Sequence, residues 1–185
     1  MRLIILGGPG SGKGTQSRRL HDSLNLPVIS TGDVLRGAIA ANTVLGAKAK
    51  SYVEKGELVP DELTIQFMRM RLLQPDTDNG WLLEGYPRTA FQAEELDFVL
   101  EDFQQQLDCA IYLKLDESVM VERSLARSRI DDQLEIVQRR IKLFKERTIP
   151  ILEYYEPRQK LLTVNANQPP ELVQQEILQH LQPHP

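Results

Sequence analysis

The apolar run Leu3–Leu6 empties directly into a glycine-rich stretch, GGPGSGKGTQ at 7–16, and a helical pattern, Thr15–Leu24, follows at once. Few features leave a chain so little choice of fold. An apolar strand without alternation is buried on both faces, as parallel sheets allow and one-sided antiparallel sheets do not. The glycines permit a tight turn whose backbone N–H groups face inward, clear of side chains. The helix that follows adds the positive end of its dipole. Gly7, four residues, Gly12 and Lys13 keep the spacing of a phosphate-binding loop, although Gly14 stands between the lysine and the hydroxyl of Thr15. Gly10, Ser11, Gly12, Lys13, Gly14 and Thr15 are therefore candidate ligands for nucleotide phosphates, with Thr15 near any metal ion. A bare glycine turn is the plain alternative, and the strand–loop–helix context weighs against it.

The rest of the chain repeats the alternation. Pro27–Ser30, Trp81–Glu84, Leu107–Leu115 and Leu161–Val164 are strand candidates, separated by helical patterns at Asp61–Gln74, Thr89–Phe103 and Glu117–Arg127. This predicts an α/β fold, a five-stranded parallel sheet of the phosphate-loop type with helices on both faces. A length of 185 residues suits one domain, 1–185. Two stretches exceed that minimum. Thr31–Val59 holds two short helical patterns, broken near Asn42 and Gly56, and Arg127–Asp132 is a polar interruption. Insertions at the carboxyl ends of strands usually cover ligands, so both are candidate substrate covers. The tail from Gln179 to Pro185 looks frayed.

Composition excludes more than it selects. A net charge of −4 argues against a nucleic-acid footprint. No apolar run is long enough for a signal sequence or a membrane span, so the default location is the cytoplasm. One cysteine, Cys109, can form neither an internal disulfide nor a cysteine zinc site. His21, His180 and His184 lie far from the motifs and read as surface residues. No exposed heptad or apolar patch argues for assembly, so a monomer is the default.

Charge is instead concentrated in arginines at the predicted strand mouths: Arg36, Arg88, Arg123, Arg127, Arg129 and Arg140. Arg123 and Arg127 share a helical face. Arg140 borders the apolar stripe Leu134, Val137, Ile141 and Phe144, at the edge of a buried face. Arginine holds two phosphate oxygens in one planar fork and stays protonated. Leu82–Leu83–Glu84 is an apolar strand ending in a carboxylate, the position from which phosphate-loop enzymes reach Mg²⁺. Asp33 is a second candidate, and it reads equally as a helix N-terminal carboxylate.

GGPGSGKGTQ, with glycine between lysine and threonine, resembles the loop of nucleoside monophosphate kinases. STGDVLRGAI (30–39) and LLEGYPRTAFQA (82–93) resemble the two monophosphate-binding motifs of adenylate kinases. Arg123, Arg127, Arg129 and Asp131–Asp132, followed by Arg139–Arg140, resemble their lid residues. The resemblance covers residues 1–165. It implies a monophosphate-binding segment at 30–59, a short lid at 126–132, the substrates ATP, AMP and ADP, and Mg²⁺ carried with ATP. It also implies roles. Lys13, Arg88, Arg123, Arg129 and Arg140 would serve transfer, Arg127 and Gln168 would join the phosphate loop on the ATP side, and Arg36 and Arg88 would clamp the monophosphate. Thr31, Glu57, Leu58, Val59, Gly85, Tyr86, Pro87 and Gln92 would line the acceptor, with Arg129 and Arg140 closing over it. Gln92, one helical turn after Arg88, carries an amide able to read an adenine edge.

The chain departs from that family in four places, the mildest being Tyr86 where phenylalanine is frequent. Glu84 stands where aspartate is usual, so a water-mediated contact with Mg²⁺ is expected. Leu134 occupies a position where the family tends to be acidic. The lid is short, and a zinc-binding lid is excluded because such a site needs about four ligands. A UMP/CMP kinase shares most of these motifs and is the nearest alternative. A nucleotide switch without an acceptor, or a small-metabolite kinase, would leave Thr31–Arg36 and Gly85–Gln92 unexplained.

Overall fold

The computed structural model describes residues 1–54, 58–126 and 133–182. Its strands are β1 (Arg2–Gly7), β2 (Val28–Ser30), β3 (Trp81–Glu84), β4 (Cys109–Lys114) and β5 (Leu161–Asn165). They form one sheet in the order β2-β3-β1-β4-β5, with every neighbouring pair parallel. Leu3, Ile4, Ile5 and Leu6 are each no more than 3% exposed. Consecutive strand residues point to opposite faces, so both faces of β1 are covered.

The helices supply that cover: α1 (Lys13–Leu24), α2 (Thr31–Ala40), α3 (Val44–Glu54), α4 (Asp61–Leu72), α5 (Ala90–Asp102), α6 (Glu117–Ala126), α7 (Leu134–Leu143), α8 (Pro150–Tyr155) and α9 (Pro170–Leu181). A single π-helical turn, Phe144–Thr148, joins α7 to α8. The register brings the carboxyl ends of β2 and β3 level, while β1 continues past them to Gly7. Ser30 and Ile5 both stand opposite Glu84. The chain leaves the sheet there as the glycine loop, α2 and the Gly85 turn, all at one edge.

α9 fastens to α1. Gln16 donates to the carbonyl of Pro170 at 2.9 Å, Arg19 pairs with Glu171, and Gln174 donates to Ser23 Oγ at 2.9 Å. The helix continues to Leu181, so the fraying expected of the tail does not begin at Gln179: Val173 and Ile177 are buried and anchor the helix, and 183–185 lie outside the described residues. The expected stripe of α7 also needs correction. Val137, Ile141 and Phe144 are buried, whereas Leu134 is 48% exposed on the first turn.

α2 and α3 form the predicted pair, turning at Asn42, which adopts φ 51°. Leu35, Ala49, Val59 and Phe67 make a small core of their own, apart from the main one. The two helices cross closely at Gly46, where a Cβ would stand 2.1 Å from the carbonyl oxygen of Ala38. Backbone cannot yield as a flexible side chain can. Gly46→Ala should therefore destabilise the protein by about 1–3 kcal/mol, as overpacking typically does. Urea unfolding monitored by circular dichroism checks this.

Candidate functional site

The glycine loop is built by backbone geometry. Gly10 (φ 73°) and Gly12 (φ 87°) are left-handed, a region that L-residues with a Cβ enter at a cost. A Cβ on Gly10 would stand 2.9 Å from the carbonyl oxygen of Met120, so the loop lies directly on α6. Gly12 caps α1 with no side-chain bond to its first N–H groups. Those groups are what an anion would meet. Lys13 folds back across the loop, its Nζ donating to the carbonyls of Gly7 at 2.7 Å and Gly8 at 2.9 Å. Ser11 is buried, and Gly14 and Thr15 are half-buried on the first turn of α1.

Two more groups adjoin this loop. Arg123, on α6, donates from Nη1 to the carbonyl of Ala166 at 2.9 Å, which ties α6 to the segment after β5. Gln168, from that same segment, donates to Glu176 at 2.7 Å, so its amide is engaged within α9.

The second loop leaves β3 through Gly85 (φ 82°) and the cis bond Tyr86–Pro87. Arg88 is gripped three times. Its Nε donates to the carbonyl of Gly85 at 2.8 Å, its backbone N–H donates to Gln92 Oε1 at 2.8 Å, and its carbonyl accepts from Thr148 Oγ1 at 3.1 Å. Arg88 is exposed by its accessible surface, although protein atoms are packed densely around it. That burial draws its guanidinium below the ordinary value. The like charge of Arg140 acts the same way, and Glu84 opposes both. Tyr86 is buried behind the loop and donates to the carbonyl of Gln92 at 3.2 Å.

Thr31 is buried at the start of α2 and donates to the carbonyl of Glu84 at 3.3 Å, binding the β2 and β3 ends together. Arg36 is paired within its own helix. Its Nη2 bonds Asp33 Oδ1 at 2.6 Å on the surface of α2, and this bond holds the Asp33 carboxyl below its ordinary value. Asp33 thus spends one oxygen on an arginine. Glu84 is better placed for a metal. A Cβ on Gly14 would lie 3.5 Å from Glu84 Oε1, an ordinary contact, so the carboxylate stands beside the phosphate loop. No cluster of three or more His, Cys, Asp or Glu side chains able to hold a metal occurs among the described residues. One carboxylate beside a phosphate cradle fits Mg²⁺, which keeps several waters and takes the rest of its shell from substrate phosphates.

Ahead of α4, Leu58 is partly exposed and Val59 is buried, its carbonyl accepting from Thr64 Oγ1 at 3.3 Å. Glu57, Arg127, Arg129 and nearly all of the expected lid lie outside the described residues. The sequence reading passed over Asp61, Thr89 and Thr148. The Thr89–Gln92 spacing carried a signal: it is that of a capping box, and Thr89 Oγ1 does accept the Gln92 N–H at 3.1 Å.

Comparison with known proteins agrees with this geometry. The family model described as adenylate kinase matches residues 5–160. A protein named adenylate kinase 2 from Nostoc sp. is 60% identical over 98% of this chain and 98% of its own length. Another of that name from Synechocystis sp. is 63% identical over 90% of this chain and 92% of its own. Adenylate kinase 1 from Nostoc sp. is 46% identical over 95% and 96%.

Gly10→Ala should lift the loop off α6. Left-handed strain of roughly 1–2 kcal/mol adds to the close contact with Met120, so nucleoside triphosphate affinity should fall at least ~10-fold. Titration calorimetry on the folded variant measures it.

Proposed function

The chain belongs to the adenylate kinase family, and from that premise we infer how its own residues move the terminal phosphoryl group of ATP to AMP. The reaction is reversible and yields two ADP. One observation carries the residue assignments: the phosphate loop and the Arg88 loop leave neighbouring strands β1 and β3 at the same edge, with Glu84 beside Gly14.

ATP phosphates take the uncapped N–H groups of α1 and the loop amides of Gly10–Thr15. Lys13 leaves its carbonyl bed and follows the transferring group, which a flexible four-carbon stem permits. Arg88, already held by Gly85, Gln92 and Thr148, presents its remaining donors to the AMP phosphate. Arg36 joins it by exchanging Asp33 for that phosphate. Such an exchange is cheap because exposed ion pairs contribute little. The AMP phosphate oxygen then attacks the γ-phosphorus in line, and the bond from that phosphorus to the β–γ bridging oxygen breaks, releasing ADP. No covalent intermediate with the protein is needed; alignment and charge neutralisation carry the catalysis.

Arg140 and Arg88 repel one another across the cleft, and a phosphoryl group between them removes that repulsion. Arg123, steadied by Ala166, faces the ATP side, with Gln168 nearby. Arg127 and Arg129 complete the set over the transferring group. When bound, Mg²⁺ neutralises the triphosphate, and Glu84 would hold it through water, with Thr15 adjacent and Asp33 as a second acceptor. Thr31, Glu57, Leu58, Val59, Gly85, Tyr86, Pro87 and Gln92 surround AMP, Gln92 from behind the Arg88 loop, both ends of its buried amide being engaged by Arg88 and Asp61. The protein works as a cytoplasmic monomer in this reading. Among the described residues, no helix is long and apolar enough to cross a membrane.

Steady-state assays test the two halves separately. Lys13→Met should lower kcat about 10²–10³-fold with the circular dichroism spectrum unchanged, the usual loss on removing one charge-stabilising donor. A variant that keeps most of its turnover would remove Lys13 from catalysis. Against a panel of acceptors, kcat/KM for AMP should exceed that for CMP and UMP by ~10² or more, since a site built on hydrogen bonds rejects analogues that leave them unpaired. Equal values for a pyrimidine would remove base reading from this acceptor site.

A further inference from the structure

We propose that Asp61 is a positioning residue of the acceptor site: its carboxylate dictates which way the Gln92 amide faces, and thereby holds the backbone that carries Arg88. The proposal rests on the reading of Arg88 as the clamp on the AMP phosphate.

The network is short and directional. Gln92 Nε2 donates to Asp61 Oδ1 at 2.7 Å, and Gln92 Oε1 accepts the backbone N–H of Arg88 at 2.8 Å. Thr89 Oγ1 reaches Asp61 Oδ2 at 3.4 Å while accepting the Gln92 N–H at 3.1 Å. Gln92 is 3% exposed and Thr89 9%, so water cannot readily replace a lost partner for either.

A primary amide can sit in two orientations that differ by exchanging oxygen and nitrogen. A carboxylate only accepts, so Asp61 admits the orientation that offers it the NH₂ group. The carbonyl oxygen is then left for Arg88. In the other orientation an oxygen would face the carboxylate and an NH₂ would face the Arg88 N–H, leaving buried polar groups opposed rather than paired. The same logic fixes Thr89. Its one hydroxyl proton goes toward Asp61, which leaves a lone pair for the first turn of α5. Asp61 therefore orients both groups that hold the chain between Arg88 and Gln92, although it touches neither Arg88 nor the phosphate that Arg88 binds.

Its place in the fold gives this reach. Asp61 is the first residue of α4, two residues after Val59, which is packed in the small core of the α2–α3 unit. Gln92 lies 31 positions further on. One carboxylate thus joins the segment beside the acceptor to the loop beneath it. No comparable bond runs from Asp61 to the phosphate loop.

That asymmetry is the test. KM and kcat are measured for both substrates in the unmodified enzyme, Asp61→Ala, Asp61→Asn, Arg88→Ala and the Asp61→Ala/Arg88→Ala double variant, with a thermal melt of each. Asp61→Ala should raise KM for AMP about 10-fold, as loosened positioning does, with KM for ATP within about twofold of the original. Asp61→Asn fills the same space but can face either amide orientation, so it should fall between the two. It also serves as the working variant if the alanine does not fold. The double variant should be no worse toward AMP than Arg88→Ala alone, because Asp61 acts through that residue. A parallel rise in both KM values, or losses that add in the double variant, would overturn the proposal in favour of a purely structural role. So would an unchanged AMP KM in both Asp61 variants while Arg88→Ala is impaired, and the clamp would then stand. If Arg88→Ala itself leaves KM for AMP untouched, the clamp reading fails and Asp61 falls with it.

Discussion

Phosphates brought together repel. At a separation of about 4 Å and an effective dielectric near 20, two unit charges oppose each other by about 4 kcal/mol, and a triphosphate meeting a monophosphate carries several such pairs. The glycine loop has its backbone donors in place beforehand, whereas Lys13 and Arg36 are engaged by the protein itself. Backbone N–H groups turn inward because Gly10 and Gly12 accept left-handed geometry. Arg123 on α6 lies against Gly10, and Arg88 on the β3 loop feels the charge of Arg140 on α7. Concentrating positive charge has its own cost, visible where Arg140 and burial together draw the Arg88 guanidinium down. An anion between them relieves it.

The fold was largely legible because its signals are local. Trp81–Glu84 forms β3 with the bounds read from the sequence, and the break near Asn42 is a real turn between α2 and α3. Apolar runs without alternation meant burial on both faces, and the strand–glycine–helix sequence placed the phosphate loop. Leu134 misled because a stripe read by periodicity says nothing about where the packing partner stops. α7 begins before anything covers its first turn, so Leu134 stays half open to solvent while Val137, one turn later, is fully enclosed.

The site was legible only as an inventory. Arg88 and Gln92 could be named from spacing, but what steadies them comes from distant parts of the chain: Thr148 lies 60 positions from Arg88, and Ala166 lies 43 from Arg123. Contacts to backbone carbonyls leave no mark on the sequence of the accepting residue, since any residue there would serve. The pairing of Arg36 with Asp33 was equally hidden, although both residues had been singled out. Each was assigned to a ligand, and at i,i+3 on one helix they found each other.

The clasp between α9 and α1 gives the molecule an unequal mechanical layout. Gln16, Arg19 and Ser23, all on the helix that begins at the phosphate loop, are bonded to Pro170, Glu171 and Gln174 at the opening of α9. The five strands, by contrast, are laced to one another over their whole length. A pull exerted through α9 would be borne by this short row of side-chain bonds together with the buried Val173 and Ile177, and the bonds would pass it to the helix that begins at the glycine loop.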